Sequence, residues 1–82
     1  MKVQVKLFAT LTDLAPGARA GIPFELTLPD GSTVRDLAHA LAVPEGEVRI
    51  VFVNGIAQPL SCTLVDGDVV SLFPPIGGGA PR

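Results

Sequence analysis

The sequence holds one cysteine, Cys62, and one histidine, His39. A lone cysteine excludes an internal disulfide, so the fold does not depend on an oxidising compartment. It also excludes a CxxC site and a cysteine-ligated iron–sulfur cluster. With a single histidine, a metal centre lacks its usual nitrogen ligands. Basic residues are few and scattered, at Lys2, Lys6, Arg19, Arg35, Arg49 and Arg82, in a chain of formal net charge -2. No Lys/Arg cluster exists to displace counterions from a phosphate backbone, which argues against nucleic acid as a partner. No apolar stretch approaches a membrane span. The opening MKVQVKLFAT alternates polar and apolar residues, unlike the apolar block of a signal peptide. A cytoplasmic protein is expected.

What is present is a compact supply of apolar side chains, 48% of 82 residues. That supports one small domain, with enough material for a sheet and one covering helix but not for an enzyme with its own deep pocket. KVQVKL alternates strictly, placing Val3, Val5 and Leu7 on one face of a strand. A helical turn with Leu11, Leu14 and Ala15 inward follows and stops at Pro16-Gly17. IPFELTL reads as a second strand, with Ile22, Phe24, Leu26 and Leu28 on one side. Pro23 lacks an N–H, which assigns it to the strand's start or to an edge.

The clearest helix lies in PDGSTVRDLAHALAV. Ser32 or Thr33 caps it, Asp36 completes a capping box, and Val34, Leu37, Ala38 and Leu41 form the buried face, with Pro44 and Gly46 ending it. EVRIVFVNG then reads as a strand entering an Asn54-Gly55 hairpin turn, followed by a short strand in IAQPL. TLVDGDVVSLF supplies a turn at Asp66-Gly67-Asp68 and a last strand through Phe73. The order β–β–α–β–(β)–β predicts an α+β fold, a mixed four- to five-stranded sheet with one main helix on one face and the first and last strands side by side. This is the β-grasp, or ubiquitin-like, architecture.

If Val3, Val5 and Leu7 lie under the helix, Phe8 points to the uncovered face, and Val69 and Phe73 of the last strand join it. RIVFV is apolar on both sides, so either Ile50/Phe52 or Val51/Val53 also faces outward. Phe8, Phe52 and Phe73 are therefore candidate partner-binding residues, since an exposed apolar patch marks an interaction surface. The alternatives are edge loops folded over the patch, or a one-residue slip that inverts the faces.

Three further features read as structural. Cys62, in PLSCTL, has no neighbouring cation to activate it and reads as a buried thiol. His39 lies off the apolar stripe and reads as a solvated surface residue. Asp66 and Asp68 read as turn residues.

After Phe73 the chain changes character. Pro74-Pro75 forces an extended path, Ile76 offers one side chain, and Gly77-Gly78-Gly79 offers none. Extended, Pro74 to Gly79 reaches up to roughly 20 Å. Backbone without Cβ atoms passes through channels too narrow for other residues. Residues 1–73 are thus expected to form the domain and 74–82 an extended, flexible tail. Composition alone favours reading such a glycine run as a frayed chain end.

The run LVDGDVVSLFPPIGGG, with VNG upstream and VKLFATL at the start, resembles the MoaD/ThiS family of ubiquitin-like sulfur carriers, which includes the small subunit of molybdopterin synthase. The resemblance covers nearly the whole chain, and DGD-x-V-x-x-FPP followed by glycines is its specific part. It implies that the chain is a carrier rather than an enzyme and binds no cofactor itself. An E1-like adenylating enzyme, using ATP and Mg²⁺, would activate a terminal glycine carboxylate. A sulfur donor would convert the adenylate to a thiocarboxylate, and a synthase or large subunit would accept the sulfur. Overlaying FPPIGGG on the family's ending places Gly79 at the reactive position, with Gly78 before it. This chain continues with Ala80, Pro81 and Arg82, so the resemblance also implies a protease that removes them. The same tail would serve a protein modifier joined to target lysines, and a plain β-grasp interaction module is the third reading.

Overall fold

The computed structural model describes residues 1–14 and 19–75. The inward placing of the Leu14 side chain and of Ala15, the Pro16-Gly17 stop, and Ile76, Gly77, Gly78, Gly79, Ala80, Pro81 and Arg82 lie outside what is described. The described chain runs through β1 (Lys2–Leu7), a 3-10 turn (Ala9–Leu14), β2 (Phe24–Thr27), α1 (Val34–Ala40), a 3-10 turn (Glu45–Glu47), β3 (Ile50–Val53), β4 (Ile56–Ala57) and β5 (Val69–Phe73). The strands form one mixed sheet in the order β2-β1-β5-β3-β4. β1 and β5 are parallel and central, and the other pairs are antiparallel. This is the predicted β-grasp.

Alternation decides which residues form the core. Val3, Val5 and Leu7 of β1, Val70 and Leu72 of β5, and Val51 and Val53 of β3 are buried, as are Val34, Leu37 and Ala38 of α1. The third strand thus turns Val51/Val53 inward and Ile50/Phe52 outward, resolving the choice that its two-sided apolar sequence left open. Leu11, Leu28, Val43, Val48 and Leu64 close the same core from the connecting segments.

The helix starts where its chemistry dictates. Thr33 is the N-cap, its Oγ1 accepting from the Asp36 N–H at 3.2 Å while Asp36 Oδ2 accepts from the Thr33 N–H at 2.9 Å. The next two free donors, the N–H groups of Val34 and Arg35, go to the carbonyls of Cys62 and Leu60 at 3.0 and 2.9 Å, so the first turn also anchors the segment leading to β5. At the other end the helix stops at Ala40, before Pro44 is reached. Ala42 enters the left-handed region at φ 59, with its N–H on the His39 carbonyl and that of Val43 on the Ala38 carbonyl, the paired bonds of a Schellman motif.

Three expectations need correction. Ile22 does not join the inner face; it is 58% exposed. The β2 ladder begins at Phe24 opposite Val5. The Gly21 turn at φ 71 and Pro23 precede it, so strand alternation does not reach Ile22. The third strand begins at Ile50, not at Glu47, because Glu45–Glu47 close a 3-10 turn and Val48 folds into the core. Cys62 is half-buried, its Sγ 3.6 Å from the Thr63 carbonyl.

Candidate docking face and tail root

The uncovered face of the sheet is built by the same alternation that fills the core. Leu7 points inward, so Phe8 emerges on the opposite side, where Ala9 at φ 52 turns the chain away. Leu7 is level with Leu72 in the parallel ladder, which brings Phe8 alongside Phe73. Their rings stack at 4.3 Å between centroids and 10° between planes. Phe52, one strand over, meets the Phe73 ring edge-on at 5.8 Å and 87°. Ile50, directly opposite Phe73 in the antiparallel ladder, extends the patch. The three phenylalanines singled out in the sequence therefore form one cluster, all half-buried, with Phe73 at its centre. Each ring pair is worth about 0.5–1.5 kcal/mol beyond the area it buries.

One contributor was not legible in the sequence. Gly21 donates to the Leu7 carbonyl at 2.9 Å, and a Cβ built there would stand 3.3 Å from Phe8 Cε1. Together with its φ of 71, this makes glycine the residue that lets the loop close on the Phe8 ring. A lone glycine between Ala20 and Ile22 carries no local signal of that contact.

The ladder ends at the aromatic cluster. The Arg49 N–H donates to the Phe73 carbonyl at 2.8 Å. Pro74, half-buried, and Pro75, exposed, continue the chain without N–H donors. The tail thus departs from the edge of the apolar patch. Gly79 and the glycines before it lie beyond the described residues.

Away from the patch, the face is polar along β1, where Lys2, Gln4 and Lys6 alternate with the buried valines. The acidic groups are mostly tied down elsewhere. Asp36 is held below its ordinary range by the Thr33 backbone N–H and then by the Thr33 side chain. Glu45 is lowered by Arg35, 3.0 Å away, and next by His39, 2.8 Å away. His39 is therefore exposed, as expected, but engaged. The DGD segment does more than turn. Asp66 Oδ1 accepts from the Lys2 N–H at 2.7 Å. Buried Asp68 accepts from Asn54 Nδ2 at 2.9 Å and the Val65 N–H at 2.8 Å. Asn54 Oδ1 in turn accepts from the Val69 N–H. This network pins the hairpin turn to the start of β5.

Among the described residues no group of three or more His, Cys, Asp or Glu side chains is placed to hold a metal ion. No described helix is long and apolar enough to cross a membrane. A depression of about 650 Å³ lies on the helix side, lined by residues including Asp30, Ser32, Asp36 and His39; Asp36 and His39 there are already committed to the cap and to Glu45.

A model of the ThiS family matches residues 5–79. Among solved structures, a candidate molybdopterin converting factor subunit 1 from Pyrococcus furiosus is 31% identical, with a TM-score of 0.69, covering 93% of this chain and 99% of that one. Small archaeal modifier protein 1 from Haloferax volcanii is 26% identical, with a TM-score of 0.71, covering 92% and 98%. A chain from the complex of subunits 1 and 2 of the Helicobacter pylori molybdopterin-converting factor is 28% identical, with a TM-score of 0.58, covering 96% and 100%. Among curated proteins, no sequence matches.

Proposed function

The chain belongs to the ThiS family, and from that premise we propose that it is a sulfur carrier that works through Gly79. Removal of Ala80, Pro81 and Arg82 frees the Gly79 carboxylate. An E1-like partner then joins it to AMP, expelling pyrophosphate from ATP. A carboxylate is a poor electrophile, because its negative charge repels a nucleophile; adenylation supplies both a leaving group and a reactive carbonyl. Mg²⁺ and the partner's cationic groups stabilise the phosphate charge. A sulfur donor displaces AMP, and the thiocarboxylate delivers sulfur to a synthase or large subunit. In this reading residues 1–73 are the platform and 74–82 the tail, and Phe8, Phe52 and Phe73 seat the platform on the partner while Pro74 to Gly78 thread its channel.

The observation that supports this most directly is the extent of the family match, which runs through the tail to Gly79. Similarity to molybdopterin converting factor subunits from two organisms favours a molybdopterin-type product. Similarity to small archaeal modifier protein 1 favours the second reading, conjugation of the same activated glycine to lysines.

The test compares full-length chain with chain ending at Gly79, each incubated with the adenylating enzyme and ATP. Only the shortened chain is expected to release pyrophosphate. With a sulfur donor, the carrier gains about 16 Da as oxygen is exchanged for sulfur, whereas a modifier yields covalent ladders on denaturing gels. Equal pyrophosphate release from both forms, or none from either, overturns the proposal.

A further inference from the structure

Asn54 is the only asparagine in the chain, and the residue after it is glycine. Such a pair has a chemical weakness besides its preference for turns. The peptide nitrogen that follows, uncrowded because its own residue lacks a Cβ, can attack the carboxamide carbon. Here the two reacting groups are exposed but unequally restrained. Asn54 and Gly55 form the hairpin tip at φ 53 and φ 82, both open to solvent, the paired left-handed geometry of a type I′ turn. Among the described residues no backbone carbonyl takes up the Gly55 N–H. The Asn54 carboxamide, by contrast, is held at both ends. Its Nδ2 donates to Asp68 Oδ1 and its Oδ1 accepts from the Val69 N–H, each at 2.9 Å. Asp68 is buried, and its other oxygen accepts from the Val65 N–H at 2.8 Å. Both partners are anchored in the sheet. The Asp68 carbonyl accepts from the Gln4 N–H and the Val69 carbonyl from the Asn54 N–H, each at 2.8 Å.

We propose that Asn54-Gly55 is a latent deamidation site latched by Asp68, and that its conversion is a one-way mark left when the hairpin tip comes away from β5. The Gly55 nitrogen gives its proton to hydroxide and bonds to Asn54 Cγ. The Cγ–Nδ2 bond breaks, and Nδ2 takes a proton from water and leaves as ammonia. Water then opens the five-membered imide at one of its two carbonyls, giving aspartate or isoaspartate. Closing that ring needs Cγ to swing onto the Gly55 nitrogen, and the grip of Asp68 and Val69 opposes the swing. Reaction therefore waits on local opening, and its rate follows the open fraction. Neither product refits the latch. Aspartate lacks the Nδ2 donor and sets a second carboxylate against buried Asp68. Isoaspartate also adds a backbone carbon to a two-residue turn flanked by the Val53 and Ile56 pair. β4, only two residues long, then loses its register. The segment released is the start of β5, the strand from which the tail departs. The latch acts alike whether the tail carries sulfur or joins a lysine.

The test incubates folded wild type beside wild type unfolded in guanidinium chloride, both in mildly alkaline buffer. Conversion is read as the acidic charge gained on isoelectric focusing and assigned to Asn54 by peptide mapping. Mapping also separates it from isomerisation at Asp30-Gly31 and Asp66-Gly67. The folded chain should convert about tenfold more slowly than the unfolded one, or slower still. Asp68→Ala, kept below its melting transition, should convert about tenfold faster than folded wild type. Where Asp68→Ala does not fold, urea unfolding of an exchanged pair decides. Asn54→Asp should unfold at lower urea than wild type. Asn54→Asp combined with Asp68→Asn should recover most of that loss, because donor and acceptor trade places while the Val65 and Val69 N–H groups keep their acceptors. Equal conversion of folded and unfolded wild type, or none in either, overturns the proposal. So does a folded Asp68→Ala that converts no faster than wild type, or an exchanged pair no more stable than Asn54→Asp alone.

Discussion

A double-mutant cycle on the aromatic cluster gives the sharpest check of its geometry. Phe8 and Phe73 stack at 4.3 Å and 10°, and Phe52 reaches the same ring at 5.8 Å. Truncating a fully buried Phe to Ala costs about 3–5 kcal/mol. Phe73 is half-buried, so Phe73→Ala should cost about 2–3 kcal/mol. Part of that is shared with Phe8. The coupling between Phe8→Ala and Phe73→Ala should be about 1 kcal/mol, the excess of a stacked pair over its buried area. Phe8 and Phe52 share Phe73 as a neighbour, so their cycle should give a smaller coupling than the direct stack. Urea unfolding of the single and double variants, at constant m, measures both. A Phe8/Phe73 coupling indistinguishable from the Phe8/Phe52 value would refute the stack and, with it, Phe73 as the centre of the patch.

Two further perturbations probe the helix that braces the sheet. Ala42 holds φ 59 at the end of α1, where a Cβ is strained, so Ala42→Gly should raise stability by about 0.5–1 kcal/mol despite the looser unfolded chain; a loss in urea unfolding would show that the left-handed cap is not formed. Asp36 is lowered by its bonds to Thr33. A depressed folded-state value means the carboxylate stabilises the fold above its unfolded pKa, and that the contribution fades as pH falls through the folded value. The melting-temperature gap between wild type and Asp36→Asn should therefore be widest above about pH 4 and close towards strongly acidic solution. A gap that widens on acidification would contradict the capping box.

How much of this could be read from residues alone follows from the range over which each signal acts. The inner faces of β1 and β5, a helix cap at Ser32 or Thr33 and the Asn54-Gly55 turn were legible because period-two alternation, capping and turn chemistry operate within a few residues. Phe8 and Phe73 were legible as facing the same way for the same reason, but the stacking of their rings depends on the level of Leu7 against Leu72 and was not. The third strand was ambiguous because both its faces are apolar; only its register against β5, with Val51 opposite Leu72, orients it. Contacts spanning the chain left no local trace. The fit of Gly21 on Phe8, the bond from Lys2 to Asp66, and the burial of Asp68 between Asn54 and Val65 join segments whose sequences are silent about one another. Asp68 makes the point most plainly, because DGD reads as a turn whether or not its last carboxylate is buried.

The parallel pairing of β1 with β5 has the widest consequence for function. A hairpin-only sheet of these strands would return β1 against the direction of β5, placing Lys2 rather than Phe8 beside the departing tail. The crossover through α1 lets the two central strands run together, with Leu7 against Leu72, so both finish at the same edge. The aromatic patch, the end of the hydrogen-bond ladder and the proline pair then coincide there. On the carrier reading, a partner that gripped the rings would fix where the tail begins, at Pro74. Seating the patch and presenting the tail are in that sense one geometric event, set by strand direction and not by any single side chain.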